Sequence, residues 1–185
     1  MPIYTIIGGV NGSGKSSLTG VLKAQRTDLG RIIDVDKLAK IHGGFLEGGR
    51  AALAQQAECM REGVSFTQET TLSGQRPARI ARQAKDAGYY VRLYYVGISS
   101  EAEALKRIAN RVAKGGHDIP REDVHRRYAE RHAALAAVLP YCDEAVFFDN
   151  ENGFVEVAEN RNGELLCKGE YRPAWLEELR AYLQA

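Results

Sequence analysis

The chain has 185 residues, enough for one α/β domain around a single core and too few for two comfortable ones. Lys and Arg total 25 against 24 Asp and Glu, a formal net charge of +1, which disfavours extended nucleic-acid binding. Three separated cysteines, Cys59, Cys142 and Cys167, lack metal-ligand spacing and fit a reduced, cytoplasmic protein, and no apolar run approaches membrane-spanning length.

Residues 3–7 form an apolar, β-prone run with no room ahead of it for a signal peptide. Glycines follow, and then a helical pattern with Leu18, Val21 and Leu22 on one face. Between strand and helix, Gly9, four residues and Gly14-Lys15-Ser16 have the Walker A spacing in the context that a phosphate-binding loop requires. Glycines without a Cβ let successive backbone N–H groups turn inward around an anion, and the helix N-terminus adds partial positive charge. The candidate nucleotide contacts are Gly9, Asn11, Gly12, Ser13, Gly14, Lys15, Ser16 and Ser17. Lys15 would reach the β- and γ-phosphates of ATP or GTP, and the Ser16 hydroxyl would ligate Mg²⁺.

Residues 31–36 read as a short buried strand ending in two acids, Asp34 and Asp36. Gly43, Gly44, Gly48 and Gly49 around Phe45 and Leu46 predict a mobile loop, with helix over 50–61. A strand over 64–68 ends at Glu69-Thr70-Thr71, and a helix over 77–88 has Gly88 as its C-cap. Residues 89–98 are the strongest strand, expected at the centre of the sheet. A helix from Ser100 carries Glu101 and Glu103 in its first turn and runs towards Val112; Gly115-Gly116 breaks it, and a second helix runs from Pro120 to about Leu139. A strand over 145–148 is closed by Asp149-Asn150, and segments 154–157 and 165–167 flank Asn162-Gly163, a hairpin signal. The last helix, 173–183, carries Trp175, Leu176, Leu179 and Leu183 as a core-packing stripe. This alternation predicts a single α/β domain, a three-layer P-loop kinase fold with a mostly parallel sheet. It has a helical lid over about 107–131, a C-terminal hairpin-plus-helix appendix over about 151–185, and ligands at the carboxyl ends of the strands.

Phosphoryl transfer needs a phosphate cradle, a metal, an oriented acceptor and positive charge over the migrating group. Asp36 is assigned to take the proton of a substrate hydroxyl and Asp34 to hold a water of the Mg²⁺ shell; capping a helix over 37–41 is the alternative for either. Glu69 stands where a Walker B strand would carry Asp and is assigned to metal or substrate, with capping of the next helix as its alternative. Arg50, Thr70 and Thr71 complete the substrate side. In the lid, Arg111 and Arg126 or Arg127 are the arginines assigned to the phosphates, while His117 is equally a phosphate contact or a packing residue. Leu72-Ser73-Gly74-Gln75 looks like the signature peptide of transporter ATPases but leads directly into a helix, so it is read as a turn.

Together these residues resemble the zeta-toxin family of P-loop kinases. The blocks that carry the resemblance are Gly8-Gly9-Val10-Asn11-Gly12-Ser13-Gly14-Lys15-Ser16, Asp34-Val35-Asp36, the stretch from Ser65 through Glu69 to Gly74, Gly115-Gly116-His117-Asp118-Ile119-Pro120, Arg126-Arg127-Tyr128 and Phe148-Asp149-Asn150. The resemblance implies an ATP- or GTP-dependent kinase of a small, hydroxyl-bearing metabolite. Founding members phosphorylate UDP-N-acetylglucosamine on its 3′-hydroxyl and are neutralised by a small helical antitoxin. Carried over, Lys15 and Ser16 match the nucleotide and magnesium positions, Asp36 the hydroxyl-activating acid, Glu69 with Thr70 the substrate-facing strand end, and Arg111 with Arg126 and Arg127 the lid. The chain is shorter than the founding toxins and has the Gly-Gly-His lid of small chromosomal relatives, which leaves the sugar-nucleotide acceptor and an antitoxin partner open. Two other readings compete: a nucleotide-binding regulator that hydrolyses slowly, and a polynucleotide 5′-kinase.

Overall fold

Strand β1 (Ile3–Gly8) sends Tyr4 and Ile6 into one buried cluster and Ile7 into another, the period-two alternation of a strand covered on both faces. Strand β4 (Tyr90–Gly97) does the same, with Val91, Leu93 and Tyr95 on one side and Tyr94 and Val96 on the other. The computed structural model describes residues 1–161 and 163–185, without the side chains of Asp36 and Phe45, so the hairpin residue Asn162 lies outside the described residues. Among the described residues the sheet has seven strands in the order β2 (Arg31–Ile33), β3 (Phe66–Thr70), β1, β4, β5 (Glu144–Asp149), β6 (Val155–Arg161) and β7 (Glu164–Cys167). β2 to β5 and β1 pair in parallel, and the β6–β7 hairpin extends the edge antiparallel. β4 is the middle strand, as its composition predicts.

Helix α1 (Lys15–Gln25) covers one face through Leu18 and Leu22. The other face is covered by α2 (Val35–His42), α3 (Phe45–Glu62), α4 (Arg76–Asp86), α7 (Arg131–Val138) and α8 (Ala174–Gln184), which contribute Leu38, Ala52, Ile80, Leu135 and Leu176 to the largest core. A third cluster joins Val10 to Ala104 and Ile108 of α5 (Glu101–Ala113) and Val124 of α6 (Arg121–Ala129). No described helix is long and apolar enough to cross a membrane, and the three cysteines are free.

Four sequence-based boundaries shift. β2 ends at Ile33, and Asp34 is the N-cap of α2, its carboxylate accepting the Lys37 N–H at 3.0 Å. Asp36 therefore belongs to the first helical turn, and the two acids do not alternate along a strand. β3 begins at Phe66 rather than Val64 because the Val64 N–H is used to close α3 on the Cys59 carbonyl. The helix expected over 120–139 is two helices meeting at Glu130, since Val124 packs in the third cluster while Leu135 and Val138 pack in the main core.

The fourth shift is the largest: of the expected mobile loop only Gly43 and Gly44 connect α2 to α3, as their C-cap and N-cap, while Gly48 and Gly49 already belong to α3 with Arg50. Gly48 is there for proximity, because a Cβ on it would lie 2.4 Å from the Ala39 nitrogen and 2.5 Å from its Cα. The missing side chain is what lets α2 and α3 pack backbone against backbone. Gly49 has no atom within 4 Å of a built Cβ. The two glycines should therefore respond oppositely to alanine. Gly48→Ala is expected to destabilise by about 1–3 kcal/mol through the backbone clash, and Gly49→Ala to stabilise by about 0.5–1 kcal/mol through helix propensity. Urea unfolding of the two variants checks the opposite signs.

Candidate active site

The parallel register sets Ile7 beside Glu69 and Gly8 beside Thr70 on one flank and beside Tyr95 on the other. Residues 9–14 thus leave the sheet between the carboxyl ends of β3 and β4 and turn directly into α1. Ser16 and Thr19, three residues apart and so on one helical face, both point at Glu69. The Ser16 hydroxyl donates to Glu69 Oε2 at 2.7 Å and the Thr19 hydroxyl to Oε1 at 2.6 Å. One carboxylate is thereby clamped against the first turn of α1, and it is not the cap of α4, whose N-cap is Gln75. The Lys15 ammonium folds back over the loop to the carbonyls of Gly9 and Val10, at 2.8 and 2.9 Å.

The loop is gripped from two further sides. From α6, Arg127 Nη1 donates to Asn11 Oδ1 at 2.9 Å. From the end of β5, the Asn150 side-chain amide donates to the Ser13 carbonyl at 2.8 Å, and Arg107 Nη2 donates to the Asn150 carbonyl at 2.8 Å. Gly14 has a φ of +104°, and a Cβ there would fall 2.2 Å from Asn150 Nδ2. Arg107 is itself oriented by Glu103 at 2.8 Å, and that hydrogen bond holds the Glu103 carboxyl below its ordinary range. Beside them lies an open groove of about 410 Å³ lined by Arg107, Asn110, Arg111, Lys114 and Gly116.

Two polar atoms at the loop, Ser13 Oγ and Arg127 Nε, are buried and have no hydrogen-bond partner among the described residues. Ser13 Oγ faces inward, 2.7 Å from where a Gly9 Cβ would sit. A hydroxyl and a guanidinium nitrogen left this way suit an anion. The oxygen pair of Ser16 and Glu69 suits a hard divalent cation, although no group of three or more His, Cys, Asp or Glu side chains capable of holding a metal exists among the described residues.

The zeta-toxin family model matches residues 1–163. The chain belongs to the zeta-toxin family. An uncharacterised protein of Haemophilus influenzae is 34% identical over 126 residues, covering 65% of this chain and 88% of that protein. Among solved structures, the AvrRxo1-ORF1:AvrRxo1-ORF2 complex matches with a TM-score of 0.71 at 18% identity, covering 97% of this chain and 64% of that one. This chain thus spans slightly less than two thirds of that neighbour's length. A structure from the PezAT chromosomal toxin–antitoxin system of Streptococcus pneumoniae matches with a TM-score of 0.66 at 17% identity, covering 100% of this chain and 85% of that one. At these identities the structural likenesses establish the fold, which is the mostly parallel α/β architecture expected from the sequence.

In this zeta-toxin chain the sequence-assigned residues divide clearly. Gly9, Asn11, Gly12, Ser13, Gly14, Lys15 and Ser16 form the loop and helix start, with Ser17 exposed on the next position of α1. Glu69 joins them. Asp34 serves as a cap, and the Asp36 side chain lies outside the described residues. Thr70 Oγ1 accepts the Leu72 N–H at 3.0 Å, and Thr71 donates to Ser73 Oγ at 3.2 Å, so both hydroxyls serve a local turn. Arg50 sits exposed on α3 with no hydrogen bond or ion pair among the described residues. Arg127 touches the loop, whereas Arg126 turns to Asp123 at 2.6 Å, and Arg111 donates to the His117 carbonyl at 2.6 Å.

Thr19, Asn150 and Arg107 are the contributors that sequence reasoning missed. The spacing of Thr19 from Ser16 was the available signal for the first, and the Glu103–Arg107 spacing of four for the last. Thr19→Val removes one of the two donors to Glu69 and should cost about 1.5–3 kcal/mol, the value of a hydrogen bond to a charged group. Chemical denaturation checks it, and Thr19→Ser should recover most of the loss.

Proposed function

We propose that this chain is an Mg²⁺-dependent kinase that moves the γ-phosphate of ATP or GTP to a hydroxyl of a small metabolite. Sugar nucleotides of the UDP-N-acetylglucosamine type are the first acceptors to test. The observation that carries the proposal is the clamp of Glu69 by Ser16 and Thr19 beside a loop that still has buried, unpartnered donors.

In this reading the loop N–H groups and Lys15 hold the β- and γ-phosphates. Lys15 exchanges two neutral carbonyls for charged oxygens, which make stronger hydrogen bonds. Ser16 and Glu69 would hold Mg²⁺, which when bound neutralises charge on the β- and γ-phosphate oxygens. Arg127, anchored on Asn11, would cover charge that develops on the migrating group. The acceptor oxygen bonds to the γ-phosphorus, the bond from that phosphorus to the β–γ bridging oxygen breaks, and the acceptor proton passes to the Asp36 carboxylate. Asp36 receives this role from its place in the sequence and in the chain path. Ile33 pairs with Gln68, so α2 starts alongside the strand end that carries Glu69. The likeness to a chromosomal toxin–antitoxin system supports extending the proposal to an antitoxin partner, which would co-purify with the chain from its native source.

The test is transfer of label from γ-labelled ATP to UDP-N-acetylglucosamine and to a metabolite extract. Lys15→Ala and Asp36→Asn should each lower transfer by about 100-fold or more. Asp36→Asn should keep the nucleotide-induced rise in melting temperature that Lys15→Ala loses. Label released only as inorganic phosphate, with no labelled acceptor, would overturn the proposal in favour of a slowly hydrolysing regulator.

A further inference from the structure

Helix α8 lies past the segment matched by the family model, and on packing grounds its stripe is core. One of its side chains does more. Trp175, 3% exposed, donates its indole N–H to Asp149 Oδ1 at 2.7 Å, and Asp149 is itself only 2% exposed. The other carboxylate oxygen, Oδ2, accepts the Glu151 N–H at 3.1 Å and the Tyr171 hydroxyl at 3.4 Å. Among the described residues Asp149 has no cationic partner, so these three donors are what satisfies a buried carboxylate that would otherwise be costly. The indole cannot slide, because it lies against the backbone of β4: a Cβ on Gly97 would be 2.1 Å from Trp175 Cε2.

Asp149 is the last residue of β5, and the next residue is Asn150, which pins the Ser13 carbonyl. A trans peptide is planar, with its C=O and N–H pointing in opposite directions. Holding the Ser13 carbonyl on Asn150 therefore turns the Gly14 N–H the other way, away from Asn150. Arg107 fixes the Asn150 backbone from the remaining side. We infer that Trp175 and Asp149 are positioning residues for the nucleotide loop, acting from the C-terminal helix through Asn150 on the Ser13–Gly14 peptide. The inference rests on the loop being a nucleotide seat for its functional meaning, but the mechanical coupling is independent of that.

The experiment measures ADP affinity by calorimetry and amide hydrogen exchange of residues 9–16 in the nucleotide-free protein. The variants are Trp175→Phe, Asn150→Ala and the two combined. Trp175→Phe should weaken ADP by about tenfold, the loss of one charge-assisted hydrogen bond, and should speed exchange in the loop. Asn150→Ala should do the same without loosening α8, and the double variant should be no weaker than Asn150→Ala alone. Tyr171→Phe, a change at a half-exposed residue, should move loop exchange in the same direction by less, and it serves if Trp175→Phe fails to fold. The inference is overturned if Trp175→Phe or Tyr171→Phe lowers the melting temperature yet leaves loop exchange at the wild-type rate, or if the double variant is fully additive. Should the wild-type protein bind no nucleotide, the kinase reading falls, and loop exchange alone still decides whether the coupling exists.

Discussion

The Glu69 carboxylate accepts from two hydroxyls on successive turns of α1, and this contact ties the end of β3 to the helix that follows the phosphate loop. It depends on strand register. Slipping β3 by one residue against β1 would send Glu69 to the opposite face and bring Gln68 or Thr70 to the helix. It also raises an electrostatic constraint. A helix N-terminus welcomes negative charge, yet Glu69 and a nucleotide's phosphates would share the same end of α1. Two anions held that close repel unless a cation lies between them, which is the physical reason to read the Ser16–Glu69 oxygens as one side of a divalent-metal seat.

The loop between β1 and α1 is shaped from both flanks. On the side of α5 and α6, Val10 packs with Ala104, Ile108 and Val124, and Arg127 reaches Asn11. On the β5 side, Asn150 fills the space next to Gly14 and holds the Ser13 carbonyl. Side chains of α5 and α6 and the end of β5 therefore hold the same short loop.

What could be read in the sequence follows from how local each signal is. The loop, its flanking strand and helix, and the central placement of β4 came from short-range patterns that tertiary structure did not override. Glu69 came from the end of a strand pattern. Gly48 was misread because glycine serves two purposes: turning the chain, and letting two backbones approach, and only the position of Ala39 tells them apart. Arg126 and Arg127 could not be separated, since neighbours on a helix point about 100° apart and the helix rotation depends on Val124 packing against Val10, Ala104 and Ile108. Asn150 falls in the Phe148-Asp149-Asn150 block, but that block gives it no role. Its role arises from β5 lying next to β4, a long-range pairing, and the same holds for Trp175 beneath it.

The same distinction separates the two halves of the proposed reaction. Phosphate binding draws on backbone N–H groups, a helix terminus and one lysine, parts that the fold supplies wherever this loop joins this strand to this helix. Neighbours sharing only 17–18% of their residues with this chain keep its fold. In the proposed reaction, acceptor choice would fall instead to side chains around α2 and the start of α3, where Gly48 brings the two helices together and Asp34 fixes where α2 begins. A substitution there would change the acceptor without disturbing the phosphate seat, so the shared fold by itself names no metabolite, and the argument for phosphoryl chemistry rests on the family match and on the residues of the loop.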